Sequence, residues 1–302
     1  MSREYRVIGL LLPEVKLGDD LAKIIVNAAN KQANGIQDGD VIIVTSKIIS
    51  KAKGYLEQYL NIKPSKKARI IGRLTKKPEW EVELILKHSK RIVAAIPATE
   101  LLLSAGYHKM MKSPKSALEV LKKDPVILVV ENKQGKLCTD AGLDTSNTPY
   151  GIASYPPPDP DKEARLLRER IEKLTNKKVA IVVTDTEAMV TRLGSIDIAV
   201  GSSGIRAVKR EFGQLDLYGK PKYGGVDIVV DEIAAAAALL MGQTSEGIPV
   251  VIIRGLKLER DCKEGVKDII IPPKMLTRGI KATLFLTFKL RLRLLLYKLF
   301  KI

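Results

Sequence analysis

Cysteine and histidine are nearly absent: the 302 residues hold two of each. Cys138 and Cys262 lie far apart and in no ligand-like spacing, which excludes a disulfide framework and a cysteine-based zinc site. His88, in "LKHSKR", and His108, in "GYHKMM", fall in no HxxxH or HExxH pattern and read as solvated side chains rather than ligands. Aromatic residues make up 5%, too few for the stacking platforms that hold single-stranded nucleic acid. No run of 18 apolar residues occurs, so nothing reads as a spanning helix. The opening "MSREYRVIGLLLPEV" has only a short apolar run, broken by Pro13, and makes a poor signal peptide. A cytoplasmic location is the expectation. Chemistry here must rest on carboxylates, hydroxyls, amides and cations.

Cations are in excess, with a net charge of +17. Such a balance suits nucleic acid or a smaller polyanion such as a nucleotide or phosphodiester. The basic residues are spread along the chain rather than gathered in one arm, so most read as solvated surface. Length and 45% hydrophobic content allow a substantial core in one large domain or two ordinary ones.

Periodicity predicts a helix over 18–32, with Leu21, Ile24, Ile25 and Ala28 on one face. A turn at Asp38-Gly39-Asp40, a buried strand over Val41–Val44 and a second helix after Thr45-Ser46-Lys47 follow. Pro78 begins a helix reaching Lys90, and 126–139 read as a hairpin. The proline-rich connector 155–164 leads into a helix with Ala164, Leu167, Ile171 and Leu174 on one stripe. Strands over 177–186, 196–205 and 248–256 flank an alanine-rich helix, 230–242, closed by Gly242. In the tail, 283–300, Lys289, Arg291 and Arg293 alternate with leucines, which fits a strand with one charged face. A basic amphipathic helix on a membrane surface is the lesser alternative to a docked or partner-facing element.

Standard phosphate motifs are missing; "GQLDLYGKP" (213–221) has the wrong glycine spacing and a proline where a P-loop needs Ser/Thr. Two carboxylates stand out by placement. Asp185 directly follows the apolar run "VAIVV", and Asp144 follows the hairpin within "TDAGLDTSN". Strand-end carboxylates beside hydroxyls suit magnesium or manganese, which take oxygen ligands. Taken singly, each reads first as a turn or helix cap. Lys47 and Lys51, four apart near a helix start, would suit phosphate, and Gly242 and Gly247 bracket a polar loop that could wrap one.

In sequence order, "LPEVKLGDDL", "DGDVIIVTSKIISKAKG", "DAGLDTSN", "PPPDPDKEA", "VTDT", "GSSGI", "DLYGK", "VDEIAAAA" and "MGQTSEGIPVVIIRGL" resemble the coenzyme F420-0:L-glutamate ligase family from about residue 7 to 256. The resemblance implies an α+β fold of unusual topology with mixed and antiparallel sheets, typically a homodimer. It implies amide-bond formation between L-glutamate and the F420 precursor, driven by GTP with two magnesium or manganese ions and aided by potassium. By the same resemblance, GTP would contact Leu11, Leu12, Pro13, Glu14, Ser46, Lys47, Lys51, Asn147, Met241, Gly242, Gln243, Thr244, Ser245, Glu246, Gly247 and Ile248. Asp144 and Asp185 would hold one ion, and Thr186 and Gln243 the second. An acyl phosphate would form and be attacked by the glutamate amine. The precursor is itself an anion, which suits a basic chain.

Departures cluster at 187–194, "EAMVTRLG", where the family usually carries a Gly-Arg, an aromatic and a second Arg. Ala188-Met189 replace the first pair, Thr191 the aromatic, and Arg192 alone remains to meet substrate charge. A paralogous amide ligase with another acceptor is therefore the alternative, and a nucleic-acid binder the third reading. Asp140 stands where the family often has Asn, and 257–302 do not match the family convincingly and read as a divergent extension after a catalytic region over 1–256.

Overall fold

A computed structural model describes residues 4–189, 192, 194–261 and 263–300. The architecture is α+β. Along the chain, β1 (Arg6–Leu10), α1 (Leu21–Gln32), β2 (Val41–Thr45), α2 (Ser46–Lys53) and β3 (Leu56–Gln58) come first. Next are α3 (Lys66–Thr75), α4 (Glu79–His88), β4 (Ser89–Ile96), α5 (Ala98–Ser104), α6 (Pro114–Lys123), β5 (Ile127–Asn132), β6 (Leu137–Thr139) and β7 (Ile152–Ser154). Then α7 (Pro160–Thr175), β8 (Ala180–Ala188), β9 (Ser195–Ser203), α8 (Val229–Met241), β10 (Val250–Arg254) and α9 (Pro273–Phe300) complete the chain.

The main sheet runs β1-β10-β2-β8-β9. Only β2 and β8 pair in parallel, with Thr45 opposite Thr184; the other three pairings are antiparallel. Strand residues alternate between two faces. Ile42, Val44, Ile181 and Val183 point to one side, where α1, α2 and α7 supply Ile25, Ile49 and Ile171. Val41, Ile43, Val182 and Val251 point to the other, where α8 supplies Val230, Ile233 and Ala237. A sheet covered on both faces explains why its central strands are continuous apolar runs. Gly201 of β9 is required by close approach: a Cβ there would lie 2.4 Å from the Pro160 carbonyl carbon at the start of α7.

A smaller sheet, β4-β5-β6, carries its own core of Ile85, Leu128, Val130 and Ala141 under α4. Here the predicted helix to Lys90 is too long. α4 ends at His88, and Ser89 starts a strand whose Arg91 faces Glu131 on β5. Local periodicity could not reveal that pairing. Within the connector, Pro160 already occupies the first turn of α7, and the Asp159 side chain caps it by accepting from the Lys162 amide at 3.0 Å.

Beyond residue 256 the chain first stays on the body. The buried Asp161 carboxylate accepts from the amides of Ser202 (2.8 Å), Val266 (2.9 Å) and Lys267 (3.0 Å). The tail then departs from expectation. Residues 283–300 belong to the 28-residue helix α9, not to a strand. Leu, Lys and Arg are strong helix formers, and none of the tail's backbone pairs with a sheet edge among the described residues. Beyond its first turn, where Leu276 reaches the body, α9 is not docked: its described side chains are exposed except for half-buried Pro273 and Thr287.

Candidate active site

The parallel β2/β8 pair ends both strands on one side of the sheet, and the candidate residues start there. Ser46 and Lys47 open α2 directly after β2; Asp185 and Thr186 lie near the end of β8. Thr45, the N-cap of α2, makes no side-chain cap, so the helix N-terminus is left to other partners. Ser46 Oγ donates to Asp185 Oδ2 at 3.0 Å. A β-bulge between Val183 and Thr184 precedes Asp185. It bends β8 at the point where its side chains must be aimed.

A second element reaches this edge from the smaller sheet. Asp144 and Ser154 exchange backbone hydrogen bonds of 3.0 and 2.8 Å, which anchors the loop after β6 to the end of β7. Asp144 Oδ2 accepts from the Lys47 ammonium, which also donates to the Ser146 carbonyl (2.8 Å) and hydroxyl (2.7 Å). Asp144 Oδ1 accepts from the Ser146 amide at 2.7 Å. Burial would push this carboxyl up, but Lys47 and Ser146 outweigh it and hold it below the usual range.

A third element is the loop after α8. Gly242 has φ of 64°, and a Cβ there would lie 2.2 Å from the Glu246 carboxyl carbon, so only glycine fits this turn. Glu246 closes the loop by accepting from the Thr244 amide (2.9 Å) and hydroxyl (3.0 Å). Asn147 Nδ2 donates to the Thr244 carbonyl at 3.0 Å, joining the second and third elements. The Leu11–Glu14 loop borders them, pinned by Gln32, whose amide accepts from Leu11 N–H (3.0 Å) and donates to its carbonyl (2.9 Å). Lys51 lies 3.8 Å from Glu14.

These pieces enclose a cavity of about 1140 Å³, lined by Glu14, Lys47, Lys51, Asp144, Asp185 and Gln243 among others. That exceeds a typical single-ligand pocket of roughly 300–1,000 Å³. Exposed Leu11, buried Ser46 and exposed Arg192 do not line it. Thr191 lies outside the described residues.

Sequence reasoning missed the residue that ties the edge together. Asp197, on β9 opposite Thr186, is buried. Its Oδ1 accepts from Thr186 Oγ1 (2.9 Å) and Gln243 Nε2 (3.0 Å). With its nitrogen so held, Gln243 turns Oε1 toward Thr186, 3.1 Å away. In "SIDIAV" the aspartate reads as the polar position of an alternating strand; only the β8–β9 register shows its role.

His88 is also misread as solvated. It is half-buried in the cavity wall, 3.0 Å from Glu57 and packed on Tyr155 with ring centroids 4.2 Å apart. Burial lowers its pKa, against the opposing pull of Glu57. Cys138 also lines the cavity, and burial pushes its thiol up to about 11, which leaves it a poor nucleophile.

The donors suit a hard divalent cation: carboxylates, a hydroxyl and an amide oxygen. Asp185 gives a direct sign of fit. Its carboxylate is bonded to the Ser46 hydroxyl and the Thr186 amide (2.9 Å), with no direct cation partner among the described residues, and burial pushes its pKa up. A cation beside it would relieve that cost. By contrast, the cluster of Glu81, Asp124 and Asp140 is already filled. The buried Lys77 ammonium lies 2.9 Å from Glu81 and 3.4 Å from Asp140, and pairs with Asp124. Asp140 is thus a structural counterion.

Oxygen donors, Lys47 at the N-terminus of α2 and Lys51 in its last turn thus line one large cavity. The model of the family described as F420-0:Gamma-glutamyl ligase matches residues 9–255, and the chain belongs to that family of ligases. It is 36% identical over 247 residues to coenzyme F420:L-glutamate ligase of Archaeoglobus fulgidus, covering 82% of this chain and 86% of that one. The proteins of the same name from Methanothermobacter thermautotrophicus and Methanocaldococcus jannaschii are each 33% identical. They cover 87% and 90% of this chain, and 94% and 95% of their own.

Proposed function

We propose that this protein joins L-glutamate to coenzyme F420-0 through an amide bond, consuming GTP and passing through an acyl phosphate. The observation that carries the reading is the convergence of Lys47, Asp144, Asp185, Thr186 and Gln243, from four separate chain segments, on one large cavity.

Asp144 and Asp185 would hold one magnesium or manganese ion, and Thr186 and Gln243 a second. Bound there, such ions neutralise a triphosphate and orient phosphoryl transfer to a carboxylate. The chain's own residues do the positioning. Asp197 fixes the rotamers of Thr186 and Gln243 before any ligand arrives, so their oxygens need not reorganise. Lys47 and Lys51 lie four residues apart on α2, where they would meet phosphate oxygens. The Gly242–Gly247 loop offers backbone N–H groups to the same anion. Phosphoryl transfer needs few acid–base groups, which agrees with a chain so poor in histidine.

The altered segment at 187–194 supports a second reading, a paralogous ligase with a different acceptor carboxylate. Glu187 lines the cavity beside Asp185, where an anionic acceptor would meet a third carboxylate. Incubation with F420-0, glutamate, GTP and manganese, with products read by mass, tests both. An adduct one glutamate heavier supports the first. Turnover of other carboxylates but not F420-0 supports the second, and no GTP-dependent adduct from any acceptor overturns both.

A further inference from the structure

Helix α9 lies outside the family-matched stretch, 9–255, so it is an addition to the ligase body. Between Pro273 and Phe300 it carries seven Lys/Arg and no Asp/Glu. A helix of a folded domain ordinarily buries an apolar stripe. This one buries none: Leu284 and Phe288 are each 66% exposed and Leu299 65%. Leu276, Ile280, Leu284 and Phe288, four residues apart, form one apolar row; Lys281 borders it, and Lys274 and Arg278 lie on the opposite face. Toward the C-terminus Lys289 and Arg293, four apart, share the side away from that row, while Arg291 falls on the row's own side, where its long stem can lie along an apolar layer with its head in water. Among the described residues no helix is long and apolar enough to cross a membrane.

Three occupants compete for such a helix. A second copy would bring two acid-free cationic helices together on chains of net charge +17. Nucleic acid would engage the cations but leave Leu and Phe in water. An anionic lipid surface satisfies both kinds of side chain at once. We propose that α9 lies in the plane of an anionic bilayer surface and tethers the ligase body there. Leu276, in its first turn, also lines the catalytic cavity, so the tether begins at the cavity wall.

The full chain is sedimented with vesicles of equal phosphatidylglycerol and phosphatidylcholine, and with phosphatidylcholine alone. It is expected to pellet with the anionic vesicles and to be released by raised salt. K289Q/R291Q/R293Q should weaken partitioning about a hundredfold, at about 1 kcal/mol per cation. L284S/F288S should weaken it at unchanged charge, and both variants should keep their thermal midpoint and vesicle-free turnover. The proposal is overturned if the chain stays in the supernatant with anionic vesicles, or if the charge variant pellets as fully as the parent. It is equally overturned if pelleting is abolished by short duplex DNA that L284S/F288S binds normally. A dimer by sedimentation velocity that L284S/F288S breaks, without vesicle binding, would assign the helix to a second copy instead.

Discussion

The Lys47 ammonium pairs with the Asp144 carboxylate across 97 positions of sequence. A lysine proposed to meet phosphate thus neutralises a carboxylate proposed to meet a metal, and each must be freed as the ligands enter. Lys47→Ala should therefore have two opposite effects. GTP affinity should fall about tenfold or more, the loss of a charge-assisted contact. Manganese binding without nucleotide should tighten about two- to fivefold, the worth of a part-exposed ion pair. Calorimetry with each ligand checks both; an unchanged GTP affinity would remove Lys47 from the nucleotide site.

Asp185 bears on the metal most directly. Asp185→Asn keeps the size of the side chain, so the thermal midpoint should stay close to that of the parent. Turnover should drop by more than about a hundredfold, because an amide cannot replace the anionic ligand. Near-normal product by mass spectrometry would show that the carboxylate holds no ion.

Asp197 acts through its neighbours. Asp197→Ala releases Thr186 and Gln243, and manganese affinity read by electron paramagnetic resonance should weaken about 10–100-fold. Unaltered manganese binding would leave Asp197 a structural residue only.

Lys77→Met tests the filled acidic cluster. Removing the buried ammonium leaves Glu81 and Asp140 facing each other with no cation, and should cost about 3–5 kcal/mol in denaturant unfolding. A loss below about 1 kcal/mol would mean the carboxyls simply take up protons, as their raised pKa values make easier.

The pH dependence of stability should carry a His88 signature. Burial favours its neutral form, so its folded pKa lies below the ordinary value of about 6.5. The unfolded chain binds the extra proton first, and stability is lost as pH falls from about 6.5 through the folded value. His88→Gln should flatten this part of a midpoint-versus-pH curve. An identical slope in the variant would show that His88 is not the group responsible.

Much of the body was legible in the residues. Val41–Val44 and "VAIVV" read as strands because both sheet faces are covered, and α7 shows its stripe because only one face is. The end of α4 and the whole of β4 were not legible, since His88 and Ser89 carry no stop signal and the strand exists only by pairing with β5. The tail misled because alternation of Lys or Arg with Leu over a few residues imitates a strand, while helix propensity over 28 residues favours the helix.

Residue chemistry alone determined what kind of ligand to propose for this protein. Few soft or aromatic donors, strand-end aspartates and abundant lysine point to hard cations and anionic partners. Which donors meet was decided only in three dimensions. Ser46 and Asp185 are 139 positions apart and Gln243 and Asp197 are 46 apart. Their contacts arise from the parallel β2/β8 pairing and the β8–β9 register, long-range pairings that no local periodicity encodes.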